Sequence, residues 1–376
     1  MRDKHSKAIS RRRALAGIAA AACYFAGPPK ATPRTSCTEV NRIGARSERL
    51  EILGNELYSG GRKLRLLGVA VGDPIYIRSN RAPDDYRVIS EEWNANVVRI
   101  SLHPGHWRAD KRSALRQLED EVNAARAVGL GVIVDWHAIG FPDHFFERPN
   151  PEWGLPADIY FSDASLAEDF WETIARAFGQ DPGVLFELWN EPVVDATNWR
   201  ASGKDWPLLR PLWSRLLAAV RRHSDAIVLV SGGCWAHDLK GVVHHPMDDS
   251  RVAYAWHCYP PWDGGDPQGW IASLGDVPAQ WPVVVTEWGF CRDCPDYIRG
   301  TATSFGRPFV DHVLEPLKLH STAWCWAPGV DPPMLRADGV TPTNYGAFVK
   351  RYLATATCAA ANLPRSAGES GKKHVN

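Results

Sequence analysis

The stretch SALRQLEDEVNAARAVGLGVIVDWH, residues 113–137, decides the fold. Its first part, Ser113 to Val128, is an amphipathic helical pattern, and Gly129 stands where a helix C-cap belongs. Its last part, GVIVDWH (131–137), is a β-branched apolar run that ends in a polar and aromatic cluster. The same strand pattern recurs at LRLLGVA (64–70), NVVRIS (96–101), VLFELWN (184–190), AIVLVSG (226–232), RVAYAWH (251–257), PVVVTEW (282–288) and STAWCWA (321–327). Near-continuous apolar runs mark strands buried on both faces, as in a parallel sheet covered by helices. Further amphipathic segments lie between them, among them 165–178, ahead of a C-cap at Gly179, and 208–223. Eight such units predict a single (β/α)8 barrel of the α/β class, with its site at the C-terminal ends of the strands. An open doubly wound sheet would carry a glycine-rich phosphate loop after an early strand, and the sequence has none. Residues 48–63, with a Gly-Gly turn, read as a short N-terminal β-hairpin closing the bottom of the barrel.

The chain has 376 residues, 45% hydrophobic and 23% charged, the composition of a globular protein. One barrel commonly takes about 250 residues, so one large domain accounts for this length as well as two. Lys and Arg total 43 against 43 Asp and Glu, which gives no electrostatic drive toward nucleic acid or anionic lipid. The 17 Trp beside 3 Met are unusual. Trp offers a flat rigid face with one polar handle, suited to stacking on sugars, although core packing explains any single one equally well.

Residues 1–27 join a basic start to an apolar stretch too short to span a bilayer, the pattern of an export signal to the periplasm or the medium. Arg11, Arg12 and Arg13 resemble a twin-arginine signal, with Sec export as the alternative, and Ala20 to Cys23 loosely resembles a lipoprotein processing site. Residues 28–47 read as a linker, 48–355 as the barrel and 356–376 as a flexible tail. No second apolar run of about 18 residues appears, so no further membrane contact is expected. The 8 Cys fit an oxidising compartment. Cys291 and Cys294 have metal-ligand spacing but no second pair, so a local disulfide or two free thiols is the reading rather than zinc. Cys37 and Cys358 flank the domain and are candidates for a bond tying its ends.

In a barrel, polar residues at the C-terminal ends of strands face one shared mouth. Here they are Arg99, Asp135-Trp136-His137, Trp189-Asn190-Glu191-Pro192, His257-Cys258-Tyr259, Thr286-Glu287-Trp288 and Trp324-Cys325-Trp326. Each has an ordinary alternative: Arg99 in a buried ion pair, His137 as a satisfied core histidine, Tyr259 as packing. Glu191 and Glu287 end strands three apart in an eight-stranded ring, which sets them nearly across the mouth. Retaining glycoside hydrolysis needs two carboxyl groups about 5 to 5.5 Å apart. LWNEP (188–192) and VVVTEWGF (283–290), with HCY between them, resemble the signatures of glycoside hydrolase family 5. The resemblance covers roughly residues 48–355.

That resemblance implies Glu191 as acid/base and Glu287 as nucleophile, the latter kept ionised by Arg99 and Tyr259. Asn190 would bond the sugar 2-hydroxyl, and His137 and His257 would line the subsite beside the scissile bond. Trp326 would be the sugar platform, with Trp324 as its substitute. Trp136, Trp262 and Trp288 are further candidates for substrate contact, and the loop 138–160 for a wall of the cleft. The expected substrate is a β-linked polysaccharide or oligosaccharide, cleaved in the manner of an endo-β-1,4-glucanase; a β-mannanase or an exo-acting β-glucanase is the alternative. A non-catalytic carbohydrate-binding barrel is the reading from another class, set against the presence of both carboxylates. A monomer with no cofactor and no metal is expected, the competing metal-ligand set being Asp135, His137, His244, His245 and His257, with Asp73 alone on strand one.

Overall fold

The computed structural model describes residues 43, 49–77, 84–142, 159–194 and 200–361, with backbone alone for 357–361. Three short antiparallel strands come first: β1 (Glu51–Leu53), β2 (Glu56–Ser59) and β3 (Arg62–Leu64). Eight parallel strands then close a barrel in chain order: β4 (Leu67–Gly72), β5 (Val97–Leu102), β6 (Gly131–Trp136), β7 (Val184–Glu187), β8 (Val228–Ser231), β9 (Val252–Cys258), β10 (Val283–Trp288) and β11 (His320–Ala323), with β11 pairing back onto β4. All eight expected strands are present. The expected hairpin is a three-stranded sheet instead, and its third strand takes Leu64, where the first barrel strand was expected to begin.

The small sheet acts as a plug. Leu50, Leu57, Leu64 and Leu66 cluster with Val97, Ile133, Leu185, Leu229, Ala255 and Val284, the lower interior layer of the barrel. Outside the ring, Val98, Ile100, Val132 and Val134 join the larger cluster formed with the helices. The helices start where short acidic side chains cap them. Asp110 accepts from Ser113 N–H (3.0 Å) before Lys111–Ala127, and Asp163 from Leu166 N–H (2.8 Å) before Ala164–Phe178. Gly129 takes the left-handed conformation expected of a C-cap, with φ +81°. Gly179 does not, with φ −61°. It is small for lack of room: a Cβ there would meet the Ala175 carbonyl oxygen at 2.2 Å.

Two residues along the strands, the barrel interior turns from apolar to charged. Val97 is followed on the inner face by Arg99, Ile133 by Asp135 and Leu185 by Glu187. Arg99 is fully buried. Its Nε and Nη2 donate to Glu187 (2.6 and 3.2 Å), Nη1 to Glu287 (2.8 Å) and Nη2 to Asn190 Oδ1 (2.7 Å), while Asp135 Oδ2 lies 3.0 Å from Nη2. One cation thus faces three carboxylates. Burial pushes Asp135 up to about 6 and Glu187 and Glu287 up to about 7, against the pull of Arg99.

A carboxyl raised in the folded state binds more protons there than in the unfolded chain. Its stabilising contribution is full below the ordinary carboxylate range, near pH 4, and is lost as pH rises toward 7. Removing Arg99 strengthens this effect. An Arg99→Met variant is therefore expected to lose about 3–5 kcal/mol at pH 8, and less at pH 5, in urea denaturation at both values. A deficit equal at the two pH values would rule out the charge account.

Candidate active site

The backbone beyond β7 is built to present Glu191. Asn190 N–H donates to the Trp136 carbonyl (3.0 Å) and Glu191 N–H to the Ala138 carbonyl (3.0 Å), so the end of the fourth barrel strand clips onto the end of the third. Pro192 follows, with no N–H to continue the pairing. On β10 the register with β9 shifts between Val285 and Glu287. This bulge lets two consecutive side chains turn inward where a regular strand would send one outward. Thr286 Oγ1 donates to Glu187 Oε1 (2.9 Å), and Glu287 accepts from Arg99.

A carboxylate oxygen of Glu191, a ring nitrogen of His257 and a carboxylate oxygen of Glu287 all lie within 4.8 Å of one another. His257 Nδ1 is 3.0 Å from Glu191 Oε1 and 3.7 Å from Glu287 Oε2, and its Nε2 is 3.1 Å from Thr286 Oγ1. Burial, then the charge of Arg99, drives the His257 pKa well below its ordinary value, so the ring is neutral. Thr286 gives its hydroxyl proton to Glu187. The single proton of His257 therefore sits on Nε2, facing Thr286 Oγ1, and its Nδ1 lone pair accepts from a protonated Glu191. That assignment agrees with the Glu191 pKa, driven well above the usual carboxylate range first by burial and next by the negative charge of Glu287.

Tyr259 Oη donates to Glu287 Oε2 (2.8 Å), and burial beside Glu287 keeps the phenol protonated. Arg99 and Tyr259 were expected to keep Glu287 ionised, and both do pull its pKa down. Burial acts against them and is the larger effect, so the group stands at about 7. Glu287 still has the guanidinium and the phenol that Glu191 lacks, so it ionises first.

His137 Nδ1 pairs with Asp135 Oδ2 (2.7 Å), and its ring stacks on Trp324 with centroids 5.3 Å apart and planes 8° apart. The half-buried Trp324 ring has the Arg99 guanidinium carbon 5.9 Å from its centroid. Trp324 is thus the strand-eight tryptophan at the mouth. Trp326 corrects the expectation: it is 3% exposed, lies edge-on to Trp93 at 4.7 Å and has no free face. Trp136 packs on Phe170 (4.3 Å) with its Nε1 donating to Ser162, and Trp288 is enclosed by Phe309, Tyr345 and Tyr352. Side chains of consecutive strand residues alternate faces, so these two rings point to the helices, away from the mouth. Trp262 lies largely buried against His237 (4.9 Å) and Trp235 (5.9 Å).

Glu187 was not singled out from sequence, and Thr286 was named there only as a member of its strand-end cluster. A charged residue inside the apolar run VLFELWN was the available signal, because a buried carboxylate without a partner is not tolerated. His244 and His245 join no ligand group with Asp135, His137 or His257 among the described residues. Cys291 and Cys294 form a disulfide. The 1–27, 28–42 and 362–376 segments, most of the loop 138–160, and the proposed Cys37–Cys358 bond lie outside the described residues. Among the described residues no helix is long and apolar enough to cross a membrane.

Residues 74–329 match the family model Cellulase (glycosyl hydrolase family 5). The cellulase CelDZ1 of Thermoanaerobacterium sp is 26% identical over 289 residues, 70% of this chain and 67% of its own length. Endoglucanase A of Butyrivibrio fibrisolvens is 25% identical over 219 residues, 56% of this chain and 45% of its own length. The chain spans about half the length of several curated relatives it matches. Among solved structures, the β-glucanase SdGluc5_26A of Saccharophagus degradans in complex with cellotetraose superposes with a TM-score of 0.73 at 24% identity, over 85% of this chain and 96% of that one. The catalytic domain of Thermobifida fusca endoglucanase Cel5A (E5) gives 0.66 at 18% identity, over 81% and 97%. A closed parallel barrel with glutamates ending its fourth and seventh strands, matched by that family model over most of its length, means that the chain belongs to glycosyl hydrolase family 5.

Proposed function

We propose that this chain is an exported glycoside hydrolase that cleaves β-linked glucan with retention of anomeric configuration, in the manner of an endo-β-1,4-glucanase. The observation that carries the reading is the approach of Glu191 and Glu287, with carboxylate oxygens within 4.8 Å. An inverting enzyme leaves room for a water between carboxyl groups about 6.5 to 9.5 Å apart, whereas a retaining one needs about 5 to 5.5 Å. The proton inventory supports the same division of labour, with Glu191 protonated and Glu287 the first to ionise. The names of the relatives, endoglucanases and a β-glucanase with bound cellotetraose, support glucan as the substrate. The disulfide at Cys291–Cys294 and the basic-apolar start of the chain support export.

In the first step Glu287 attacks the anomeric carbon as the glycosidic C–O bond breaks, and Glu191 passes its proton to the departing oxygen. In the second, Glu191 takes a proton from water, the resulting hydroxide displaces Glu287, and both carboxyls return to their starting states. Asn190, held by Arg99 through Oδ1, keeps its amide protons for the sugar 2-hydroxyl. Trp324 supplies the platform on which the reacting sugar stacks.

Loss of either carboxyl is expected to lower kcat at least about 100-fold. Azide separates the roles: with Glu287→Ala it replaces the nucleophile and yields an azide of inverted configuration, with Glu191→Ala one of retained configuration. Near-normal turnover by Glu287→Ala would dismiss the mechanism. Assays of reducing ends on soluble β-1,4-glucan, β-1,3-glucan and β-mannan identify the polymer. The profile of kcat/KM against pH is expected to be a bell whose acidic limb lies near 7, where Glu287 ionises, and not near the ordinary 4.5. The two tryptophans should also part company. Trp324→Ala is expected to raise KM several-fold, from loss of about 0.5–1.5 kcal/mol of stacking. Trp326→Ala is expected to cost about 3–5 kcal/mol of stability, read by urea midpoints. The opposite pattern would restore Trp326 as the platform.

A further inference from the structure

A second polar cluster lies at the ends of β4 and β5, away from the paired glutamates. Asp73 follows β4, His103 follows β5, and His106 stands on the short helix Pro104–Ala109. Asp73 is buried, and its Oδ2 accepts from His103 N–H (2.8 Å), His103 Nδ1 (2.6 Å) and His106 Nδ1 (2.9 Å). Its Oδ1 accepts from the N–H groups of Ile75 (2.7 Å) and Tyr76 (3.3 Å). Asp73, His103 and His106 have the donor types of a metal site, with ligand atoms within 4.8 Å of one another. The distances argue otherwise. Ligands bound to zinc at about 2.0–2.2 Å in a tetrahedron sit roughly 3.3 Å from each other, and 2.6 and 2.9 Å are hydrogen-bond lengths. An oxygen already taking three donors has no lone pair left for an ion.

The carboxylate therefore holds a proton on Nδ1 of both rings and turns Nε2 of each away from itself. His137 is held in the same way by Asp135. No described residue hydrogen-bonds Nε2 of His103, His106 or His137. The rings adjoin: His103 lies 4.8 Å from His137 and 5.6 Å from His106, and His137 stacks on Trp324. From the tryptophan platform outward, a row of imidazoles presents ring nitrogens that can bond a ligand. Hydroxyl groups, which both donate and accept, are what such a row recognises.

We infer that His103 and His106, fixed by Asp73, form a sugar-binding subsite that hydrogen-bonds the hydroxyls of the pyranose unit beyond the one over which Trp324 lies. This rests on the hydrolase reading above. In ring order Glu191, which protonates the leaving group, ends β7 and bonds His257 of β9, and the Asp73 cluster at β4 and β5 is on the other flank. The subsite therefore takes the non-reducing side of the cut, the glycone. His103 and His106 touch the sugar, and Asp73 is a positioning residue.

The test compares kcat/KM on p-nitrophenyl β-glucoside and p-nitrophenyl β-cellobioside, which share a leaving group and differ by one glycone unit. His103→Ala is expected to lower the cellobioside-to-glucoside ratio about 10-fold, the loss of one hydrogen bond to substrate. His103→Gln, whose amide can still hydrogen-bond a hydroxyl, is expected to recover part of it. Asp73→Asn is expected to lower the ratio too, and to move the imidazole nitrogens off the Nδ1–H pattern in long-range 1H–15N spectra. An unchanged ratio in His103→Ala, with both substrates slowed alike, overturns the subsite. So does calorimetric binding of Zn2+ by the wild type that vanishes in His103→Ala. Binding of cellotriose, read by calorimetry in the Glu287→Ala background, separates the two claims. If the wild type hydrolyses neither glycoside, the hydrolase reading falls, while cellotriose bound about 10-fold more weakly after His103→Ala still upholds the subsite.

Discussion

A single buried guanidinium makes the upper half of this barrel possible. Asp135, Glu187 and Glu287 come from three different strands and converge at no more than 5% exposure, an arrangement that would repel itself apart or stay protonated without a cation. Arg99 answers all three with bonds of 2.6 to 3.2 Å and also holds Asn190. Arginine suits this place better than lysine, because its planar fork directs several donors at once and keeps its charge when buried. The charge balance remains two cations short, and burial raises the carboxyls toward neutrality. That shortfall is useful to proton chemistry, since it sets Glu287 close to neutral pH and leaves Glu191 as the group that holds its proton.

The hydrogen-bond chain extends this effect around the mouth. From Arg99 it runs through Glu187 to Thr286, to His257 and to Glu191, and each link fixes the donor and acceptor roles of the next. The β10 bulge is what allows Thr286 to take part, by bringing it to the same side as Glu287. At the other flank Asp73 does for His103 and His106 what Asp135 does for His137. Carboxylates below and imidazoles above form a repeated unit, with acidic groups serving to orient rings.

The tryptophans show how composition can point to the right chemistry through the wrong residues. An excess of Trp suggested sugar stacking, yet Trp93, Trp107, Trp136, Trp171, Trp213, Trp256 and Trp270 are at most 2% exposed and fill the layer between strands and helices. At strand eight, W-C-W offers two rings on the same face of the sequence pattern, and only their neighbours separate them: Trp326 meets Trp93, while Trp324 meets His137 and overhangs Arg99.

The order of eight apolar runs, the helices between them and the two strand-end glutamates were legible in the sequence, because burial on both faces and polar residues at strand ends leave periodic marks in one dimension. The hairpin that became a three-stranded plug was half legible, since a Gly-Gly turn marks one reversal and an edge pairing leaves no mark. Glu187 and Asp73 gave only the hint of charge beside apolar residues. Which nitrogen of His257 carries a proton, how far Glu287 rises and which tryptophan faces the cleft were decided by tertiary structure alone. Those properties depend on distances of 3 to 5 Å between groups from different strands, and on how little water reaches them, and neither quantity exists until the barrel has closed.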